Sequence, residues 1–303
     1  MKNMKFTGPL LIIIAATLWA LDGVIRRNLY SLPPITIIFF EHLIGLVILL
    51  PFAWKLVIKE KIGKREWILL GVIAVLSGLL GTLWFTTALL KVHFISFSVV
   101  FLLQKLQPLF AIGTARIFLK EKISKAYLPW AGLALISAYF VTFPGGVVNT
   151  STGDGTIVAA LYALGAAFAW GSSTTFSKML LGKVNSTVST FYRFLFTLAC
   201  SLILILTLGY TSSLSTVTIP QIGWFTLIAV STGMVALMIY YKGLKDTPVH
   251  ISTILELTFP FIAIFIDTIL YHNTLEVSQW IATFVLVFSI YRIVQLQNYG
   301  ISK

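Results

Sequence analysis

Charged residues are scarce in this chain of 303 residues. Asp, Glu, Lys and Arg make up 11% of it, whereas a soluble domain carries about 25%. Hydrophobic residues make up 58%, and the mean hydropathy is +0.94. A soluble surface of this size needs more charge than the chain has. The composition therefore predicts an integral membrane protein and excludes a soluble enzyme or binding module.

Several motifs of catalysis and of ATP use are also missing. The chain has no "GxxxxGK[ST]" loop, no "GxSxG" elbow and no "HExxH" pair, and its 4 histidines are scattered. The single cysteine, Cys200, cannot form a disulfide within the chain. We therefore expect a protein that is not an enzyme, that binds no metal or cofactor and that does not use ATP directly.

Long apolar stretches recur along the whole sequence. A helix needs about 20 mostly apolar residues to cross a bilayer, while barrel strands need about ten and alternate in polarity. Helical spans are predicted at residues 8–28, 35–54, 67–89, 94–118, 127–143, 156–179, 187–209, 221–241, 249–271 and 278–296. The first of them has no small-x-small cleavage pattern, so we interpret it as a retained helix rather than a secretion signal.

Basic residues lie mainly at alternate connections. The net charge is +12, and 17 of the 22 Lys and Arg residues fall on one set of connections and the two ends, while 144–155 and 210–220 hold none. Positive loops stay on the cytoplasmic side of a membrane. We therefore expect a multi-pass protein of the cytoplasmic (inner) membrane with both termini in the cytoplasm. The basic surplus then reflects topology, and no nucleic acid partner is expected.

The chain repeats itself after about 152 residues. This shift places Trp19 on Trp170, Glu41 on Arg193, and Pro108 on Pro260. The predicted domains are a first five-helix repeat at 1–145, an extracytoplasmic connector at 146–155, a second repeat at 156–296 and a cytoplasmic tail at 297–303. Because five is odd, the two repeats have opposite orientations, as in many secondary transporters.

These features together resemble a known transporter family. Trp19, Trp170, Arg193, the pair Ala88–Leu89 and the run "LQPLF…FLKEKIS" (Leu106 to Ser124) are similar to the EamA branch of the drug/metabolite transporter superfamily. The resemblance implies an all-α membrane fold of ten helices around a central cavity, lined by helices 1, 3, 4, 6, 8 and 9. It also implies export or import of small metabolites.

Two charges lie in the middle of apolar spans. Lys105 stands in "VVFLLQKLQPLFAI" and Glu256 in "STILELTFPFIAI", within one residue of matching positions in the two repeats. A charge at the bilayer centre costs about 2.5–3.5 kcal/mol on insertion scales, so each needs a partner or water. We expect them to face each other across a shared cavity. The alternative is a buried ion pair that only joins the halves.

A second charged group is expected on the second and seventh spans. Glu41 and Arg193 correspond under the repeat and carry opposite signs. They form either a buried pair that locks the halves together or an inward-facing pair. His42 lies beside Glu41 and is the best candidate to carry a coupling proton, because histidine titrates near neutral pH.

Aromatic and polar residues are expected to complete the cavity. A substrate ammonium would meet the aromatic faces and Glu256, and a carboxylate would meet Lys105. Asp22 either points into the cavity or pairs with Arg26. Pro108 and Pro260 are either hinges or static bends, since proline removes a helical hydrogen bond. The full set of cavity candidates is Trp19, Asp22, Trp84, Phe85, Gln104, Lys105, Trp170, Tyr240 and Glu256.

The expected function is secondary active transport by alternating access. Amino acids or related amines are the first expectation for the solute, and choline-like organic cations or drugs are the second. Nucleotide-linked or other sugars follow, as does a passive channel. The expected partners are the small-molecule solute, the lipid bilayer and protons as a candidate coupling ion, with the protein as a monomer or homodimer.

Overall fold

The computed structural model describes residues 7–91, 99–148, 150, 155–271 and 274–298. The sequence predictions for residues 1–6, 92–98, 149, 151–154, 272–273 and 299–303 fall outside these ranges. The α-helices described are α1 (Thr7–Arg26), α2 (Pro34–Lys59), α3 (Lys64–Ile73), α4 (Thr82–Lys91), α5 (Val99–Gln104), α6 (Gln107–Thr114), α7 (Leu128–Thr142), α8 (Thr156–Leu181), α9 (Ser186–Thr207), α10 (Ile219–Val230), α11 (Met234–Asp246), α12 (Val249–Leu255), α13 (Thr258–Tyr271) and α14 (Val277–Asn298).

Helices long and apolar enough to cross a membrane dominate the described residues. The described residues contain eight such helices: Thr7–Leu29, Pro34–Lys59, Lys64–Lys91, Thr156–Leu181, Ser186–Thr207, Ile219–Asp246, Val249–Leu270 and Val277–Leu296. The fifth predicted span is the shorter apolar helix α7, and the fourth begins in residues outside the described ranges. The prediction of helical spans is confirmed, while the count of ten remains a prediction.

Several of the spans are interrupted near their middle. Between α3 and α4 the chain continues as a π-helix, Ala74–Gly81. The span that holds α10 and α11 is broken at residues 231–233. The fourth and ninth predicted spans are broken at residues 105–106 and 256–257. In helical membrane proteins such irregular backbone is tolerated where protein or a water-filled cavity satisfies it.

Packing partners repeat under the same shift that relates the two halves. Helix α1 packs against α11, and α8 packs against α4 in the corresponding way. Helices α2 and α9 pack on each other, as do α7 and α14, and α12 packs against α6. The breaks at 105–106 and 256–257 are therefore neighbours at the contact between the halves.

Small residues allow the close approach of these helices. A Cβ added at Gly243 would lie 2.8 Å from the Gly8 carbonyl oxygen and 2.9 Å from the Ile12 side chain. On α8, the buried residues Ala159 and Ala163 form a narrow face. Membrane helices associate through this kind of contact, because lipid tails are as apolar as the side chains and give no hydrophobic drive. Large apolar side chains such as Phe52 remain exposed on the outside of the bundle.

Candidate functional site

A chain of hydrogen bonds crosses the centre of the bundle. Gln104 Nε2 donates to Gln107 Oε1 at 3.3 Å, and Gln107 Nε2 donates to Glu256 Oε2 at 3.0 Å. Tyr240 Oη donates to the other carboxylate oxygen, Glu256 Oε1, at 2.6 Å and lies 3.5 Å from Thr174 Oγ1. We call these five residues the polar belt. It joins α5, α6, α8, α11 and the break after α12.

The belt is built on the two helix breaks. Lys105 follows α5 directly and Glu256 follows α12 directly, so both charges lie in the same local structure. In each break the chain makes a tight turn, with Leu106 N bonded to Leu103 O and Leu257 N bonded to Ile254 O, both at 3.0 Å. At each break the regular helical ladder of backbone bonds is interrupted inside the membrane, next to the polar side chains of the belt.

The two prolines lie just after these breaks. Pro108 is the second residue of α6, and Pro260 is the third residue of α13. The helix is irregular just before each proline, and the choice between hinge and static bend stays a prediction. In the first turn of a helix the proline nitrogen needs no hydrogen-bond partner, so both prolines fit the start of a new segment.

Each half contributes a tryptophan and a second aromatic ring beside the belt. The rings of Trp19 and Tyr240 lie 5.0 Å apart at 53°, and those of Phe85 and Trp170 lie 5.2 Å apart at 56°. The first pair joins α1 to α11, and the second joins α8 to α4. The two aromatic pairs are therefore related by the repeat. Tyr240 itself belongs to the belt.

The second aromatic pair is fixed against the π-helix. Trp170 Nε1 donates to the Ser77 carbonyl oxygen at 3.2 Å, and a Cβ added at Gly81 would lie 2.5 Å from that nitrogen. The indole therefore fills the space that the glycine leaves. Trp84 instead packs over Gly165 on α8, where an added Cβ would lie 2.9 Å from its ring.

Lys105 lies beside the belt rather than in it. Its Nζ is 5.3 Å from the centre of the Phe259 ring, and its side chain is partly buried. This distance allows a cation–π contact. No ion pair joins Lys105 to Glu256 among the described side chains, so the alternative of a buried pair is not seen. Their placement across a shared cavity stays a prediction.

A second cluster joins α1 to α2. Arg26 Nε lies 2.6 Å from Asp22 Oδ2, and Arg26 Nη1 lies 2.9 Å from Glu41 Oε2. Asp22 Oδ1 also accepts a bond from Thr232 Oγ1 at 2.6 Å, in the break between α10 and α11. Of the two alternatives for Asp22, the structure shows the pair with Arg26.

The proposed pairing of Glu41 with Arg193 is corrected by this cluster. Arg26 on α1 pairs with Glu41. Arg193 Nη1 donates to Tyr241 Oη at 3.1 Å. His42 bonds through Nδ1 to the Ile38 carbonyl oxygen at 2.8 Å, and its ring packs 4.6 Å from that of Phe194.

A third polar cluster holds the corner between α11 and α12. Glu121 accepts from the backbone N–H groups of Val249 and His250, at 2.8 and 3.2 Å, and from His250 Nδ1 at 2.6 Å. Lys178 Nζ donates to the carbonyl oxygens of Leu244, Lys245 and Thr247 at 2.7 to 2.9 Å. Glu121 and Lys178 therefore hold this corner by its exposed backbone groups.

The environment of Glu121 favours its ionised form. Burial alone raises the pKa of this carboxyl, but the bonds from His250 and Val249 and the charge of His250 outweigh burial. The pKa therefore lies below its ordinary value of 4.5. The corner is held most firmly while Glu121 is a carboxylate.

Replacing Glu121 by Gln is expected to lower the free energy of unfolding at neutral pH by roughly 1–2 kcal/mol, since bonds to a charged acceptor are lost. A lowered folded-state pKa gives stability that is present above the unfolded-state pKa and is lost as the pH falls through the folded-state value. The difference between wild type and variant should therefore shrink in acid. Denaturation in mild detergent across pH measures it, with the exposed Glu276→Gln as control. A difference that does not vary with pH would contradict this account.

Sequence reasoning missed several residues that the structure brings together. Gln107, Thr174 and Tyr241 lie among the site residues, and Arg26 holds two carboxylates. The spacing of Gln104 and Gln107 by three, on one helical face, was a usable signal. No group of three or more His, Cys, Asp or Glu side chains suited to a metal ion occurs in the part of the chain that the structure describes.

Comparison with known proteins gives consistent results. The EamA-like transporter family matches residues 6–143 and 157–295. The riboflavin transporter ImpX of Fusobacterium nucleatum subsp. nucleatum is 36% identical over 295 residues, covering 95% of this chain and 98% of that protein. A solved crystal structure superposes with a TM-score of 0.74 over 95% of this chain and 96% of the other, at 16% identity. At that identity the superposition shows a shared fold.

Proposed function

Because the chain belongs to the EamA-like transporter family, we propose that it moves a planar, aromatic solute of the riboflavin class through the site between its two halves. The chain is a membrane transporter of the drug/metabolite type, and this proposal concerns its solute. The observation that carries it is the pair of Trp–aromatic contacts, each of which joins the two halves, beside the hydrogen-bonded polar belt.

The chemistry of riboflavin suits these two features. Its ring system is flat and has polar edges that both donate and accept hydrogen bonds, and it carries a hydroxylated side chain. Indole and phenol rings offer large, rigid surfaces to such a ring, and stacked aromatic pairs gain about 0.5–1.5 kcal/mol beyond the burial of their area. The amides of Gln104 and Gln107 can meet the polar edge. The relative that is 36% identical is named for riboflavin, which supports the same solute.

A zwitterionic amino acid is the second candidate. Lys105 and Glu256 occupy matching breaks in the two halves and could receive a carboxylate and an ammonium. Glu256, however, already accepts two hydrogen bonds within the belt, and the Lys105 ammonium lies over the Phe259 ring. This arrangement favours a neutral aromatic solute over a small zwitterion.

The proposed mechanism is alternating access between two oppositely oriented halves. The packing pairs that repeat between the halves support this arrangement. The distribution of basic residues supports cytoplasmic termini and the cytoplasmic membrane as location. The breaks at residues 105–106 and 256–257 are the proposed hinges, because fewer regular backbone bonds resist bending there.

Binding to the purified protein tests the solute. A ligand at 100 times its Kd stabilises the folded state by about 2.7 kcal/mol, which raises the midpoint of thermal unfolding by a few degrees. Riboflavin is expected to raise it, and amino acids and choline are not. Stabilisation by an amino acid without any by riboflavin would reverse the order of the candidates.

The variant Lys105→Met separates the two candidates in transport. If riboflavin is the solute, counterflow of labelled riboflavin in liposomes should fall less than tenfold, since the methionine keeps the contact with Phe259. If a zwitterion is the solute, the loss of the carboxylate partner should abolish its transport. Trp19→Ala is the companion variant, and it should reduce riboflavin counterflow at least tenfold.

A further inference from the structure

Glu256 differs from the other carboxylates of the spanning helices. Asp22 and Glu41 share the guanidinium of Arg26. Among the carboxylates that the structure describes away from the ends of these helices, Glu256 alone has no cationic nitrogen within 4.0 Å. A carboxylate inside a membrane without a cation is costly and is by default a functional group.

We propose that Glu256 is the proton-binding group of this transporter and that solute movement is coupled to its protonation. The part of this proposal that concerns coupling rests on the proposed function. The sequence indicated His42, which lies beside Glu41, as the carrier of the coupling proton. The proposal places the proton site in the polar belt instead.

The belt offers Glu256 a complete set of partners in both protonation states. When the group is ionised, Oε1 accepts from Tyr240 Oη and Oε2 accepts from Gln107 Nε2. When it is protonated, the new O–H on Oε1 can donate to Tyr240 Oη, and the tyrosine hydrogen can turn to Thr174 Oγ1, 3.5 Å away. A hydroxyl serves as donor or acceptor, so neither state leaves a buried polar atom unpaired.

The bond between Gln107 and Glu256 provides the link to movement. Gln107 belongs to the first half and Glu256 to the second, whereas Tyr240 and Glu256 belong to the same half. Separation of the halves at this level removes one donor from the carboxylate and leaves the other in place. A buried charge that loses a hydrogen bond is less stable than its neutral form, so opening favours proton uptake and closing favours release.

Few other titratable groups surround this carboxyl. Helices α1, α6, α7, α8 and α14 pack against α12, and Tyr240 reaches Glu256 from α11. Lys105 lies in the neighbouring break, over the Phe259 ring. The described parts of α1, α7, α8 and α14 place no ionisable side chain in hydrogen bond with Glu256. The proton balance of the belt therefore depends on this one carboxyl and on Tyr240.

Infrared spectroscopy of the purified protein tests the proton site without any solute. A buried protonated carboxyl has a C=O band that disappears when the group ionises. A titration of the wild type is expected to show such a band, and Glu256→Gln should lose it while Glu276→Gln keeps it. In Gln107→Leu the band should be larger at neutral pH, which gives a second readout if Glu256→Gln does not fold. An unchanged band in Glu256→Gln would overturn the proposal.

Liposome transport tests the coupling. With one proton moved per solute, a pH gradient of about one unit changes the steady-state ratio of riboflavin across the membrane about tenfold. Wild type should show this change, and the riboflavin counterflow that remains in Glu256→Gln should lose the response to pH. A full pH response in Glu256→Gln, or none in wild type, would overturn the coupling. Absence of riboflavin counterflow in wild type would instead overturn the assigned solute, and the infrared titration would still decide the proton site.

Discussion

Replacing Arg26 by Met is expected to lower the free energy of unfolding by about 3–5 kcal/mol, because it takes the paired cation from the buried Glu41 and the partly buried Asp22. In the wild type, Arg26 Nε lies 2.6 Å from Asp22 Oδ2 and Arg26 Nη1 lies 2.9 Å from Glu41 Oε2. The Glu41 side chain is only 10% exposed. The methionine fills much of the same space, so the loss measures charge rather than packing. Denaturation in mild detergent gives the value.

Two further variants make this result specific. Adding Asp22→Asn and Glu41→Gln to Arg26→Met removes both unpaired charges, and the triple variant should recover most of the lost stability. Lys55→Met changes an exposed charge on α2 and should stay within about 0.5 kcal/mol of wild type. Wild-type stability in Arg26→Met would show that water or another group already neutralises the two carboxylates.

Replacing Gly171 by Ala should disturb both the fold and the belt. A Cβ at this position would lie 2.6 Å from the Gln107 carbonyl oxygen, 2.9 Å from Phe110 Cβ and 3.0 Å from Ala111 N. These atoms belong to the backbone of α6 or lie next to it, so no side-chain rotation relieves the contact and α6 must move away from α8. Overpacking of this kind costs about 1–3 kcal/mol.

The same displacement should weaken transport. Gln107 lies in the backbone segment that Gly171 supports, and its amide reaches Glu256 at 3.0 Å. Moving α6 breaks this bond, so riboflavin counterflow should fall at least tenfold even where the protein folds. The matched control is Gly113→Ala, also on α6, where an added Cβ meets nothing within 4 Å. Equal stability and equal riboflavin counterflow in Gly171→Ala and Gly113→Ala would mean that α6 can shift away from α8 at no cost.

Much of the fold follows from simple patterns in the sequence. The long apolar runs predict the spanning helices, and the shift that aligns Trp19 with Trp170 predicts that these two residues have equivalent neighbours. The breaks were only partly predictable. Proline indicates where a regular helix is weakened, but tertiary contacts decide whether it bends or ends, and here each segment ends before its proline.

The candidate site was less accessible to sequence reasoning than the fold. The repeat favours opposite charges at matching positions as partners, and it therefore indicated Glu41 with Arg193. Ion pairs depend instead on which long side chain can reach, and Arg26 at the end of α1 reaches two carboxylates. Thr232 joins this cluster from a break that no sequence motif marks.

The third and eighth predicted spans are interrupted in different ways. Residues 74–81 keep a continuous, widened π-helix, whereas Ser231 and Gly233 have ψ angles of −84° and −100° and leave the helix altogether. A widened turn keeps its full ladder of backbone bonds, whereas the break keeps only part of it, such as the bonds from Gly233 N to Ile228 O at 2.7 Å and from Ala236 N to Ser231 O at 3.0 Å. The second repeat is therefore mechanically softer at this level than the first. Despite the repeated topology, the third span is stiffer than the eighth, and the two will take up an applied strain unequally.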